Sequence, residues 1–343
     1  MSTTSSRTRE RTLMVKILHK VACLEWVTSR RMPDGGYCAF RDEKTRAGFS
    51  NIADTAWALE IFRRLKEAPP EVSSTAKWIE SCQRGTLALS RSPALAFALS
   101  ARVHAGLPWR QEERRLYLEE VERLLDDGDR EKMEGVDEDL ASLLRVPQAP
   151  DLPRSLSRRL PVLVGNLEAR DLREARPQTL PALEDRLTLL EKSGTLSPKE
   201  IHRRGQEEET FRHTVWGWTR SRGSTAVDLF VIRAGVRLAN RLQAPFDTAL
   251  IEDLVLSCRS RLGGFGPLPG AIPGLDATLC AVEILQRIHP SRLGSSSRGK
   301  ARPDHGFIPE DTALSQIDSG RAREGTPSRF PLLPNQSMES DRP

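Results

Sequence analysis

The sequence is short of the features that would place it in several large classes of protein. It has five cysteines in 343 residues, Cys23, Cys38, Cys82, Cys258 and Cys280, and no two stand in a Cys-x-x-Cys spacing. An odd, scattered set argues against a disulfide framework or a cysteine-rich zinc site and fits a reducing compartment. No glycine-rich phosphate loop, nucleophile elbow or Cys–His pairing stands out. The longest apolar stretch, Leu87 to Leu107, is broken by Arg91, Pro93 and Arg102, so it reads as a buried helix of a soluble protein and not as a membrane span. Met1 to Thr12 is rich in Ser, Thr and Arg and has no apolar h-region, so no secretory signal is expected. These absences together predict a cytoplasmic protein. Runs of alternating β-branched residues are missing as well, and no strand is predicted.

What is present is helical and charged. The net charge is +5, but the basic residues gather in the two ends (Arg7, Arg9, Arg11; Arg292, Arg298, Lys300, Arg302, Arg321, Arg323), while the middle mixes both signs as solvated helix faces do. No nucleic-acid-binding module accompanies that charge, so nucleic acid is not an expected partner. Residues 1–9 and 291–343 are polar, with Ser295-Ser296-Ser297 and many Pro, Gly and Arg. Such segments bury too little apolar surface to offset chain entropy, so they read as disordered tails around a folded domain at 10–290. Apolar spacing places helices near 10–30, 51–67, 73–84, 92–106, 110–127, 136–146, 153–170, 178–193, 197–212, 223–242, 247–261 and 275–288. Ser92-Pro93 reads as a cap followed by Pro at the first helical position, and Ser197-Pro198-Lys199-Glu200 as a capping box. Glu134 to Asp139 reads as a further helix cap. Asp126-Asp127-Gly128-Asp129 is expected in a loop.

One block recurs. Glu25-Trp26-Val27-Thr28-Ser29 followed by Asp34-Gly35-Gly36-Tyr37 aligns without a gap on Asp253-Leu254-Val255-Leu256-Ser257 followed by Leu262-Gly263-Gly264-Phe265. Each leads into an apolar helix, Thr55-Ala56-Trp57-Ala58-Leu59-Glu60-Ile61 in one copy and Thr278-Leu279-Cys280-Ala281-Val282-Glu283-Ile284 in the other. A weaker copy begins at Trp78-Ile79-Glu80-Ser81 and leads into Ala94 to Leu99. Gly-Gly permits positive φ and close approach to a neighbour, and the aromatic after it plugs the gap between helices. The second helix carries small residues suited to a crowded interior, and the first keeps a charged outer face. Stacked pairs of this kind bury a shared core. Twelve helices taken in order make six hairpins whose more apolar members would form an inner ring of helices inside an outer ring.

At this point the sequence resembles a family. Gly263-Gly264-Phe265-Gly266-Pro267-Leu268-Pro269-Gly270 with Leu275 to Leu285, and Asp34-Gly35-Gly36-Tyr37 with Asp54 to Leu59, look like the repeats of the prenyltransferase and squalene (terpenoid) cyclase superfamily. The resemblance covers 20–66 and 250–288 well, 72–107 and 213–242 partly, and 110–212 only in helical character. It implies an all-α fold of the α/α-toroid type and an isoprenoid, as a prenyl diphosphate, held in a central apolar cavity. The family's chemical groups are only partly kept. Where terpenoid cyclases carry Asp-x-Asp-Asp before Thr-Ala, this chain has Asn51-Ile52-Ala53-Asp54, with Ala53 in place of the protonating acid. For the zinc triad of the protein prenyltransferases it offers Asp228, with Phe230 in place of the thiolate and Ala277 in place of the histidine. One ligand of three does not hold zinc. No metal site is assigned, and magnesium stays open as a cofactor.

The candidate site residues each read in two ways. Asp54, Asp228 and Asp276 fall at the first turns of inner helices. They are either convergent acids at the mouth of the ring, the catalytic set, or acids that simply favour a helix N-terminus. His213, Trp216, Trp218, Arg220 and Arg222 precede an inner helix. The arginines either grip a diphosphate while the indoles wall an apolar pocket, or they are solvated charges beside packing aromatics. Trp57 is either pocket wall or core. Three functions follow: a divergent enzyme that transfers or cyclises a prenyl chain, a non-catalytic toroid that binds a lipid or a helical protein partner, or a generic helical scaffold with no cavity, which bulky side chains at the inner-helix positions would favour.

Overall fold

Apolar residues three and four apart fold most of the described chain into α-helix. The structure, a computed structural model, describes residues 20–40, 48–86, 92–129, 135–176 and 178–289, and the tails expected at 1–9 and 291–343 lie outside them. The helical residues 20–29 form α1. There follow α2 (Ile52–Leu65), α3 (Val72–Thr86), α4 (Ala94–His104), α5 (Gln111–Asp129), α6 (Val136–Leu144), α7 (Arg154–Arg173), α8 (Leu180–Ser193), α9 (Pro198–Glu209), α10 (Leu229–Leu242), α11 (Thr248–Ser257) and α12 (Leu275–Ile288). No helix among the described residues is long and apolar enough to cross a membrane.

Several local expectations change. A two-stranded antiparallel hairpin joins α9 to α10 where none was expected, β1 (Arg212–His213) pairing with β2 (Gly217–Trp218) around a positive-φ Gly217. Helix α10 starts at Leu229 and not near 223, because the Asp228 side chain accepts the Val231 N–H at 2.9 Å and caps it there. Asp126 to Asp129 lie inside α5 and not in a loop: Asp126 and Asp127 pair with Arg159 and Arg123. Ser92 does not cap α4. Its N–H donates to Glu120 and its hydroxyl to Asp139, which ties α4 to α5 and α6. Ser197 caps α9 as expected, but Glu200 turns away to Arg203 and Arg204, so only half of the capping box forms. Glu134 lies outside the described residues, and α6 opens on Gly135 without a side-chain cap.

The even-numbered helices carry the burial. In α12 ten of 14 residues are buried, against two of 10 in α11 before it, so α12 is the inner member of that pair. Each odd helix from α3 to α11 lies against the even helix that follows it. The even helices touch one another in order, α2 to α4, α4 to α6, α6 to α8, α8 to α10 and α10 to α12, and α12 touches α2. The contact of α4 with α6 is the slightest of these.

The two sequence copies fold alike, bond for bond. Cys38 N–H donates to Arg30 O and Met32 N–H to Gly36 O; Gly266 N–H donates to Cys258 O and Ser260 N–H to Gly264 O. Gly35 (φ 101°) and Gly263 (φ 106°) take the positive φ that the turn requires. The aromatic amides of Tyr37 and Phe265 donate to the hydroxyls of Thr55 (3.0 Å) and Thr278 (2.9 Å), which in turn donate to Asn51 O and Gly274 O. The second glycine of each pair lets a tryptophan come close. A Cβ on Gly36 would stand 2.8 Å from Trp78 in α3, and one on Gly264 would stand 2.5 Å from Trp26 in α1. The first hairpin thus meets the second as the last hairpin meets the first.

Candidate functional site

The starts of the even helices place the three predicted carboxylates, and each is engaged there. Asp54 is buried in the first turn of α2. One of its oxygens accepts the Ala39 N–H at 2.8 Å and the Asn51 side-chain amide at 2.5 Å, while its own N–H donates to Asn51. Burial pushes its carboxyl above the usual carboxylate range; the two donors work against that rise and the nearby Asp276 adds to it. Asp276 lies in the first turn of α12 and accepts the Ala277 N–H at 2.7 Å. Asp228 caps α10 and pairs with Arg220 at 2.7 Å. It lines a pocket of about 220 Å³ with Trp216, Leu254, Cys258 and Leu268, and neither Asp54 nor Asp276 lines it. The structure therefore brings Asp54 toward Asp276, and Asp228 toward Arg220 and Trp216. Among the described residues no three His, Cys, Asp or Glu side chains form a group that could hold a metal ion.

The aromatic and basic residues before α10 divide in the same way. Trp216 is half exposed at the Asp228 pocket. Trp218 is fully buried, donates its indole N–H to Glu208, and lies so close to Gly235 of α10 that a side chain there would overlap its ring. The Arg222 guanidinium stands 5.9 Å from the Phe211 ring centroid. His213 Nδ1 accepts the Val215 N–H at 3.1 Å. Trp57 is partly buried and meets Phe97 of α4 edge to face at 5.2 Å.

A second set of residues, not singled out from the sequence, links all six even helices. His104 of α4 meets Glu60 of α2 at 3.0 Å, and Glu60 meets Arg64 at 2.7 Å. Arg64 reaches Glu283 of α12 at 3.7 Å, and Glu283 takes two hydrogen bonds from Arg237 of α10, at 2.7 and 2.6 Å. Arg237 and Arg241 approach Glu184 of α8, and Arg145 at the end of α6 closes on Glu184 and Asp185 at 2.6 Å each. Burial opposes the charged forms of Glu60, Glu184 and Glu283, but their arginines outweigh it and hold all three carboxyls below the usual range. His104 is driven toward its neutral form: burial moves it below the usual imidazole range against the pull of Glu60. The repeat held a signal for this layer. Nine residues after their caps, α2, α8, α10 and α12 place Glu60, Thr188, Arg237 and Glu283 (51 to 60, 179 to 188, 228 to 237, 274 to 283).

With this geometry in hand, comparison with known proteins adds no identity: no protein-family model matches the chain, and no curated protein matches its sequence.

Proposed function

We propose that the chain is an α/α-toroid of six hairpins on the plan of the prenyltransferase and terpenoid-cyclase repeats, and that it serves as a non-catalytic scaffold for a lipid or protein partner. The ring is supported by one local contact used twice: Gly36 against the tryptophan of the next odd helix, and Gly264 against the tryptophan of the first. The contacts among even helices, with α12 against α2, fit the same plan.

The observation that carries the non-catalytic reading is the engagement of the three carboxylates. Asp228 and Asp276 cap or close their own helix starts, and Asp54 accepts from Asn51 and ties the Ala39 loop to α2. The even helices are further linked by the ion-pair layer, where an isoprenoid cavity would call for apolar walls. A binding surface is offered by the connections into the even helices, which carry exposed Phe40, Phe49, Trp216, Leu262, Leu268 and Ile272. In the ring these connections share one end. The five cysteines are free, which suits a cytoplasmic setting.

A second reading, a prenyl-diphosphate enzyme, is favoured by the raised carboxyl of Asp54 beside Asp276. In that reading Asp54 is the acid, Trp57 walls the cavity, and magnesium serves the diphosphate. Incubation with labelled farnesyl and geranylgeranyl diphosphate, with and without magnesium and zinc, separates the two. The scaffold gives no product under any condition. Product that disappears in Asp54→Asn would establish the enzyme instead.

A further inference from the structure

The connections into α10 (210–228), α12 (258–274) and α2 (30–51) lie side by side at one end of these helices. The Leu229 N–H at the start of α10 donates to Pro267 O of the second connection, and α12 packs on α2 with Asp276 of its first turn near Asp54. Among the described residues eleven large apolar side chains are exposed, and seven of them stand on these three connections, which marks this end as a contact surface. The surface holds both halves of one contact. On the α2 side Phe49 stands out, 91% exposed, and its neighbour Ser50 donates its hydroxyl to Asp34 at 2.6 Å, so an acid lies beside the phenyl. Asp34 is exposed and forms no ion pair among the described residues. On the α10 and α12 side is the pocket of about 220 Å³ walled by Trp216, Leu254, Cys258 and Leu268, with Arg220 held on its Asp228. Pockets for drug-sized ligands run to about 300–1,000 Å³, so this one has room for a single side chain. Arg220 balances Asp228, so that side chain is apolar. The half-exposed guanidinium keeps N–H groups for an acid that arrives with it.

A phenyl with an acid beside it is what this pocket fits, and the chain carries one at the same end. We propose that this end is the interface of a homodimer, in which Phe49 of each copy enters the pocket of the other and Asp34 meets Arg220. Because knob and hole share one end, two copies facing each other about a two-fold axis satisfy both contacts at once, and the assembly closes at two. A knob and a hole at opposite ends would give an open-ended chain instead. The dimer names the protein partner of the scaffold and rests on that reading for the contact surface alone. It needs neither the closure of the ring nor the absence of catalysis.

The test is sedimentation velocity of the full chain over a concentration series. Wild type should pass from monomer to dimer and no further. Phe49→Ser removes both knobs and Leu268→Asp spoils both holes; each side chain is exposed, so the fold should tolerate its loss. Each variant should weaken dimerisation by about ten- to hundredfold. An equal mixture of the two leaves one knob with one intact hole and should associate more tightly than either variant alone, which general apolar stickiness would not produce. Asp34→Asn keeps an acceptor for the turn but loses the charge, and should weaken the dimer less than the other two; it carries the comparison if either of them fails to fold. The proposal is overturned if wild type stays monomeric at every concentration, if any of the three variants dimerises as wild type does, if the mixture associates no better than its parts, or if association runs on past the dimer. A monomer would leave the scaffold reading standing with a lipid or a different protein as partner, whereas product from a prenyl diphosphate would sink that reading and leave the dimer.

Discussion

The hairpins at the two ends of the described chain and those in its middle fix similar helix pairs by different means. In α1–α2 and α11–α12 the turn is set by directed bonds: a positive-φ glycine, an aromatic amide held by a threonine hydroxyl, and a second glycine against a tryptophan ring. In α5–α6 and α7–α8 no such frame appears among the described residues. There the helices are joined by leucines, among them Leu124, Leu140, Leu160 and Leu163, and by buried ion pairs of Arg186 with Asp137 and Asp171. Backbone-directed frames leave a sequence signature because few residues meet them. Side-chain filling leaves little, because many apolar combinations fill the same volume.

The largest test of that contrast lies in the ion-pair layer. Glu283→Ala strips Arg237 of its two-bond partner in a buried site and should cost about 3–5 kcal/mol, the range for breaking a buried pair. Glu184→Ala in the middle hairpin should cost less, about 1–3 kcal/mol, because Arg237 keeps Glu283 and Arg241 keeps Glu191. Denaturant unfolding of the two variants reads the order directly, and a reversed order breaks the comparison. Next comes glycine. Gly264→Ala drives a Cβ into the Trp26 ring and should cost about 1–3 kcal/mol. Gly128→Ala in α5 meets side-chain ends, Leu163 Cδ1 and, at 3.3 Å, Val136 Cγ1, where Gly264→Ala meets a rigid ring, and it regains about 0.5–1 kcal/mol of helix propensity. That variant should be near neutral in the same measurement.

The same contrast explains how much was readable beforehand. The helices and the repeat at Gly35-Gly36 and Gly263-Gly264 were legible because apolar spacing and paired glycines are local signals. The short β1–β2 hairpin was not, since two residues per strand leave no alternation to read. The depth of Trp218 was not either, because its partners Glu208 and Gly235 lie on different helices. For the candidate site, placing Asp54, Asp228 and Asp276 at helix starts was within reach of the sequence. Their division into two groups was not, because the position of Asp228 depends on Arg220 and on the loop at Pro267 to Pro269. Glu60 and Glu283 were quoted as part of the repeat, yet their joint role in the charged layer appears only once Arg237 and Arg64 are seen between them.

The smallest expected effect is also the most specific to the middle of the chain. Asp185 sits six residues after the cap of α8, beside Arg145, Glu184 and Asp137, and burial there pushes its carboxyl up to about 7, against the pull of Arg145. Six residues after the cap of α12 stands Cys280, whose buried thiol is pushed up to about 11 and stays neutral through the same range. Only the middle hairpin should therefore carry a titration near neutrality at this position. Between the ordinary carboxylate range and pH 7 the folded state keeps a proton on Asp185 that the unfolded chain has lost, so this residue makes stability fall as pH rises through that window. Asp185→Asn removes the titration. The other shifted acids, Asp54 and Asp139 included, remain in both proteins and cancel in the difference. The gap in melting temperature between variant and wild type should move in favour of the variant from about pH 5 to about pH 8. Cys280→Ala, measured beside it, should give a gap that does not move with pH. A flat gap for Asp185→Asn would mean that Arg145 holds the Asp185 carboxylate charged throughout, and that the middle hairpin is as indifferent to pH here as the last one.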